Sequence, residues 1–180
     1  MNELPFTAII FGTDTGNTED AAYRMSSVLE SHGLTPEVIN INEVTADLLA
    51  DYDLIIMGIP TWDFGGIQQD WEERDNEIAA FPVQGKTLAL YGLGDQLGYG
   101  EFFLDAEGWL HERLATTGAR FVGFWPTEGY TFEASRALTP DGKAFFGLAL
   151  DEDIQPEQTD NRITRWLEQV LAEYHAAPSN

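Results

Sequence analysis

No cysteine occurs among the 180 residues. That excludes disulfides, iron–sulfur clusters, thiolate metal sites and cysteine nucleophiles, and it fits a reducing cytoplasm. Basic residues are scarce: nine Lys and Arg stand against thirty-one Asp and Glu, a formal charge of −22. A field of that sign repels phosphate backbones, so no nucleic-acid partner is expected and basic proteins are the natural complement. No apolar run approaches the roughly 20 residues of a membrane span. The opening MNELPF has neither the basic start nor the apolar stretch of a signal peptide. The expectation is a cytoplasmic protein without membrane association. No repeat, low-complexity segment or Pro/Gly/Ser linker divides the chain, so a single domain over 1–180 is expected.

What is present suffices for a core, with 43% hydrophobic residues. Apolar runs recur as FTAIIFG (6–12), DLIIMGI (53–59), KTLALYGLG (86–94) and RFVGFW (120–125), with a shorter TPEVINI at 35–41. Ile-, Leu- and Val-rich runs that do not alternate with polar residues suit parallel strands covered on both faces. Helical stripes lie between them. Residues 17–32 align Ala21, Met25, Val28 and Leu29, and 101–118 align Phe103, Ala106, Leu110 and Leu114. Residues 160–175 align Ile163, Trp166, Leu167, Val170, Leu171 and Tyr174. Alternation of strand and helix predicts an α/β domain with a parallel sheet and right-handed crossovers. TEGYTFEASRALTPDGKAF (127–145) has no helical stripe and reads as a loop or small hairpin inserted in the last strand.

The segment IIFGTDTGNTEDAA (9–22) is strand, turn and helix start. Backbone N–H groups at such a helix start converge on one point, where the dipole favours an anion. Thr13, Thr15, Thr18 and Asn17 add neutral donors, and Gly12 and Gly16 permit a tight turn. The Lys of a nucleoside-triphosphate loop is missing, and so is the Gly-x-Gly-x-x-Gly of dinucleotide sites. On this loop alone, a hydroxyl-capped helix and a phosphate-monoester site stand equal. Open parallel sheets bind ligands beyond the carboxyl ends of their strands. Two further Gly-rich loops follow strands there, PTWDFGG (60–66) and GLGDQLGYG (92–100), each with one large aromatic, Trp62 and Tyr99. Two aromatics beside an anion loop would sandwich a flat ring with a phosphate tail. No acid/base pair is evident, and His32, His111 and His175 read as surface residues.

In these motifs the chain closely resembles the flavodoxins of the long-chain type, essentially end to end. GTDTGNTE resembles their phosphate loop for flavin mononucleotide (FMN). PTW with QQDWEE resembles the first flavin loop, and GDQLGY with FLDA the second. GLALDED with TDNRITRWLEQV is similar to the last half-strand and final helix. The resemblance implies a three-layer sandwich, with a five-stranded parallel sheet in the order 2-1-3-4-5, helices on both faces and an insertion in the last strand. It implies that Thr13, Asp14, Thr15, Gly16, Asn17 and Thr18 hold the phosphate, the Asp14 side chain turning away. Pro60, Thr61, Trp62, Asp63, Phe64 and Gly65 would form the first loop, Thr61 near the ribityl chain and Trp62 on the inner ring face. Gly92, Leu93, Gly94 and Asp95 would form the second, Asp95 and the backbone at Gly94 and Gln96 meeting the pyrimidine edge. Tyr99 would stack on the outer face, Phe102 would lie beside it, and Asp153 is a ribityl candidate. Three features depart from the pattern: Phe102 where many relatives carry Asn, Leu93 where they often carry Thr, and the Asp and Gly pair of WDFGG where others vary.

The implied activity is that of a monomeric, low-potential one-electron carrier, cycling its FMN between semiquinone and hydroquinone. The Asp63 carbonyl is the candidate acceptor for the flavin N5 proton. The implied partners are basic redox proteins, such as an NAD(P)H-dependent flavodoxin/ferredoxin reductase and downstream acceptors. Six acids at 63–77 against Arg74 alone, and five at 151–160, would ring the flavin. The alternative is an FMN-dependent quinone or nitro reductase of the same fold, which needs substrate room where Tyr99 would cap the ring.

Overall fold

A computed structural model describes residues 3–176, so the outermost positions of the expected 1–180 domain lie outside the described residues. Nine strands form: β1 (Thr7–Phe11), β2 (Glu37–Asn40), β3 (Leu54–Trp62), β4 (Gly66–Ile67), β5 (Thr87–Leu93), β6 (Arg120–Val122), β7 (Trp125–Pro126), β8 (Ala144–Phe145) and β9 (Leu148–Leu150). Six α-helices accompany them: α1 (Asn17–Ser31), α2 (Ala46–Leu49), α3 (Gln69–Glu72), α4 (Asp75–Ile78), α5 (Asp105–Leu114) and α6 (Thr159–His175). The main sheet runs β2-β1-β3-β5-β6, parallel throughout, and β9 also pairs with β5 in parallel. This is the expected 2-1-3-4-5 order with the fifth strand in two pieces. β6 pairs with Thr87–Ala89, and β9 with Tyr91–Leu93.

The apolar runs do not alternate because both sheet faces are covered. Ile9, Phe11, Leu54, Ile56, Ala89 and Tyr91 face a core shared with α1 and α6. Ala8, Ile10, Ile55, Met57, Leu88 and Leu90 face one shared with α5 and the α3–α4 segment. Trp71 and Trp166 are fully buried anchors of the two layers; their indole N–H groups donate to the carbonyls of Gly58 (3.0 Å) and Gly123 (2.8 Å).

Three expectations need correction. The run 120–125 stops as sheet at Val122, because Gly123 takes φ +82 and turns the chain; Trp125 belongs to a separate antiparallel pair, β7 with β8. The interruption therefore spans 123–147 rather than 127–145. The Pro-Asp-Gly turn inside it does form: Asp141 accepts from the Lys143 amide and the Thr139 hydroxyl. Secondly, α5 begins only at Asp105, after a short 3-10 turn at Gly100–Phe102. Phe103 thus leaves the α5 stripe and joins Tyr130, Phe132 and Phe145 of the insertion, with ring centroids 5.4–5.9 Å apart. Thirdly, His111 is not a surface residue. Its ring is half-buried, parallel to Phe146 at 3.7 Å, and burial lowers its pKa.

No helix of the described residues is long and apolar enough to cross a membrane.

Candidate functional site

Three loops meet where β1, β3 and β5 end at their carboxyl edge. The first leaves β1 through Gly12, where a Cβ would lie 2.3 Å from Gln68 Oε1 and 2.8 Å from the Trp71 ring. Only glycine lets the chain pass under α3 there. Gly16 then caps α1 at φ +94, a conformation that costs an L-residue with a side chain about 1–2 kcal/mol. The Thr13 hydroxyl accepts from the Gly16 amide at 2.9 Å, closing the turn. No side chain caps α1, so its first-turn amides keep their donors for a ligand or solvent. The Asp14 carboxylate is turned aside, accepting from Gln68 Nε2 at 3.1 Å. Thr18 is buried, and its carbonyl accepts from the Tyr91 hydroxyl at 2.8 Å.

The second loop continues β3 past its neighbours. β3 pairs with β5 as far as Pro60, and Thr61 and Trp62 then turn back onto β4 through Asp63, Phe64 and Gly65. A three-residue reversal needs left-handed backbone. Asp63 (φ +43) and Gly65 (φ +85) supply it. The Thr61 hydroxyl accepts from the Ala106 amide at 3.0 Å, which ties this loop to the start of α5. Trp62 Nε1 is buried and has no acceptor among the described residues.

The third loop starts at Leu93. Gly94 donates to the Leu150 carbonyl at 3.0 Å, and Asp95 Oδ1 accepts from the amides of Leu97 (3.1 Å) and Gly98 (2.6 Å). This Asx-type turn carries Tyr99 to the rim, where it is 38% exposed. The Asp63 carboxylate beside its hydroxyl raises the phenol pKa. Gln96 is buried, and its amide and Nε2 both donate to Asp151 Oδ2, at 2.9 and 2.8 Å.

Together the loops enclose a cleft of about 320 Å³ lined by Thr15, Asn17, Thr18, Pro60, Thr61, Trp62, Asp63, Leu93, Gly94, Asp95, Tyr99, Glu152 and Asp153. Neutral donors occupy one end and two aromatics the walls. Asp63 of the second loop, Asp95 of the third, and Glu152 and Asp153 from the segment after β9 add carboxylates to its lining. Burial and the neighbouring Asp95, Asp151 and Glu152 raise the Asp153 pKa.

Thr13, Asp14 and Gly16 shape the first loop without lining the cleft. Four further candidates lie off it. Gly92 faces α5, where a Cβ would stand 2.8 Å from Glu107 Oε2, because successive β5 residues point to opposite sheet faces. Phe64 is 77% exposed, and Phe102 packs edge-on against it at 5.7 Å, beside Gly65, instead of entering the cleft. The Asn-to-Phe departure at 102 thus falls on a surface pair of aromatics.

Sequence reasoning missed Glu152, which lines the cleft and accepts from the Thr159 hydroxyl at 2.6 Å. It also missed the Gln96 side chain and Asp151 as the clamp between the third loop and β9. The LDED at the end of β9 was a usable signal, since that strand also ends at the ligand-binding edge. Glu107 gave no such signal. Fully buried, with no partner for its carboxyl oxygens among the described residues, it has its pKa raised well above the ordinary value by burial.

Known proteins are similar to this chain in sequence and in fold. A family model described as Flavodoxin matches residues 9–166. Flavodoxin 2 of Escherichia coli (strain K12) is 47% identical over 168 residues, 92% of this chain and 94% of that one. Flavodoxin 1 of Salmonella typhimurium is 42% identical over 172 residues, 96% of each chain. A solved structure, Fusobacterium nucleatum flavodoxin bound to flavin mononucleotide, superposes with a TM-score of 0.86 at 26% identity, covering 94% of this chain and 99% of that one.

Proposed function

This chain belongs to the flavodoxin family, and from that premise we propose that the cleft holds FMN non-covalently and that the protein is a low-potential one-electron carrier. The observation that carries the reading is the meeting, at three neighbouring strand ends, of a loop of neutral anion donors with Trp62 and Tyr99 in one cleft. The chemistry of the site fits FMN. Thr15, Asn17, Thr18 and the first-turn amides of α1 suit a terminal phosphate, and the partnerless Trp62 Nε1 offers a donor to an acceptor inside the cleft. Bound FMN would supply the redox chemistry itself.

The residues around it set its terms. Trp62 and Tyr99 would cover the two faces of a flat ring held in the cleft and exclude water from them. The turn at Asp63 and Gly65, both already left-handed, would present the Asp63 carbonyl to a proton taken up at the ring. Asp63, Asp95, Glu152 and Asp153 line the same cleft. Their negative charge would oppose placing further electrons on a flavin held there, which would make the bound group a low-potential carrier. Basic redox proteins, a reductase and an acceptor among them, are the partners this surface suits, in brief encounters steered by charge. Stepwise anaerobic reduction followed by absorbance tests the reading. The expected course passes through a stable blue one-electron-reduced species; direct bleaching by NAD(P)H without it would instead make the protein a two-electron reductase.

A further inference from the structure

The cleft is not the only sizeable cavity among the described residues. A second one, of about 480 Å³, lies in the seam between the insertion and α6 and shares no lining residue with the first. Two of the chain's nine basic residues, Arg162 and Arg165, line it one helical turn apart, with Trp125, Pro126 and Tyr130 as an apolar wall and Asn161 at the side. Neither arginine forms an ion pair among the described residues.

Arg162 is only 7% exposed. Its guanidinium lies 4.2 Å from the centre of the Tyr130 ring, and Nη2 donates to Gln155 Oε1 at 2.7 Å. Gln155 is itself held by donations from Gln96 Nε2 and to the Gly129 carbonyl. Nη1 has no acceptor among the described residues. A buried cation without a counter-ion is costly, and here it is fixed in place beside an open cavity. Arg165 approaches from the exposed side, 5.8 Å from the Trp125 ring.

We propose that this cavity binds a carboxylate carried on a flat or apolar body. The two guanidinium groups would take the carboxylate, and Trp125 with Pro126 would cover the body. Guanidinium binds carboxylate and phosphate alike. The charge of −22 decides between them, because a monoanion meets about half the long-range repulsion that a dianion does. Glu128 also lines the cavity, so a ligand that leaves it solvated at the rim is favoured.

Sodium benzoate is the probe, titrated into the purified protein at constant ionic strength, with the Trp125 indole N–H followed by nitrogen–proton correlation NMR. A saturable shift is expected, absent with neutral benzamide of the same shape. The exposed-side variant Arg165→Ala should weaken benzoate at least about tenfold. A capped Phe-Glu dipeptide that binds more tightly than benzoate assigns the carboxylate to a partner's side chain; weaker binding assigns it to a free small acid. A non-saturating shift, an equal response to benzamide, or an Arg165→Ala titration matching the parent overturns the proposal. None of these readouts depends on flavin in the cleft, so the outcome is separable from the FMN reading.

Discussion

Gly147 has no room for a methyl group: a Cβ there would lie 2.0 Å from the Leu90 carbonyl oxygen. That backbone cannot move without breaking the β5–β9 ladder, so Gly147→Ala should cost about 3 kcal/mol in denaturant unfolding. Nearby, burial raises the folded pKa of Glu107 well above the ordinary glutamate value, so between the two values the buried carboxyl keeps its proton. The folded state then binds a proton that the unfolded chain has released. Stability is therefore full below the ordinary glutamate range and falls as pH rises towards the folded pKa, with a slope of about 1.4 kcal/mol per pH unit from this group. In Glu107→Gln that component of the slope should vanish, which urea unfolding of both proteins between mildly acidic and alkaline pH would read. A parent and variant with parallel profiles would mean that Glu107 ionises normally.

Among the elements, the third loop is held more by its neighbours than by itself. Gln96 donates to Asp151 at the end of β9 and to Gln155 before α6, and its Oε1 accepts from the Thr131 amide of the insertion at 2.6 Å. Gly100 receives the Glu133 and Ala134 amides at 2.8 and 3.0 Å. The insertion is thus a buttress for the loop that carries Asp95 and Tyr99. Gln96→Ala leaves a buried carboxylate short of one donor and the Thr131 amide without its acceptor, and should cost about 1–3 kcal/mol of stability. FMN affinity, followed by recovery of flavin fluorescence on dilution, should fall about tenfold because Tyr99 loses its anchor. Unchanged affinity with lowered stability would show that the loop orders itself without this clamp.

Across the whole molecule, charge is distributed less uniformly than the composition suggests. Of the six acids at 63–77, Asp75 is paired by Arg113 of α5, which lowers its pKa, and Glu77 by Arg74 at 3.0 Å. Asp151 in the second acidic run is fully buried. Asp63, Glu72, Glu73, Asp153 and Glu157 of these runs remain exposed outside any ion pair among the described residues, and Asp63 and Asp153 line the cleft beside the exposed Tyr99. Long-range steering by such a rim is screened beyond about 10 Å at 0.1 M salt. The second-order rate of electron exchange with a basic redox protein should therefore fall by an order of magnitude or more between low and high ionic strength in stopped-flow measurements. A rate indifferent to salt would assign the acidity to solubility instead.

The resemblance to the flavodoxins supplied the strand order; the residues by themselves determined the alternation of strand and helix, the long helices and the three strand-end loops. These depend on apolar runs, helical spacing and glycines, all properties of neighbours along the chain. The first loop read alone was ambiguous, and only its company, Trp62 and Tyr99, gave it a meaning. Tertiary structure decided which face each residue takes and what it meets there. It sent Gly92 towards Glu107, moved Phe103 out of α5 into the insertion's aromatic cluster, set His111 against Phe146, and joined Gln96 to Asp151 across 55 residues. It likewise placed Arg162, outside the apolar stripe of α6, against Tyr130 with its Nη1 left without an acceptor among the described residues. Such contacts join segments far apart in the chain, and no local pattern encodes the burial that gives each of them its chemistry.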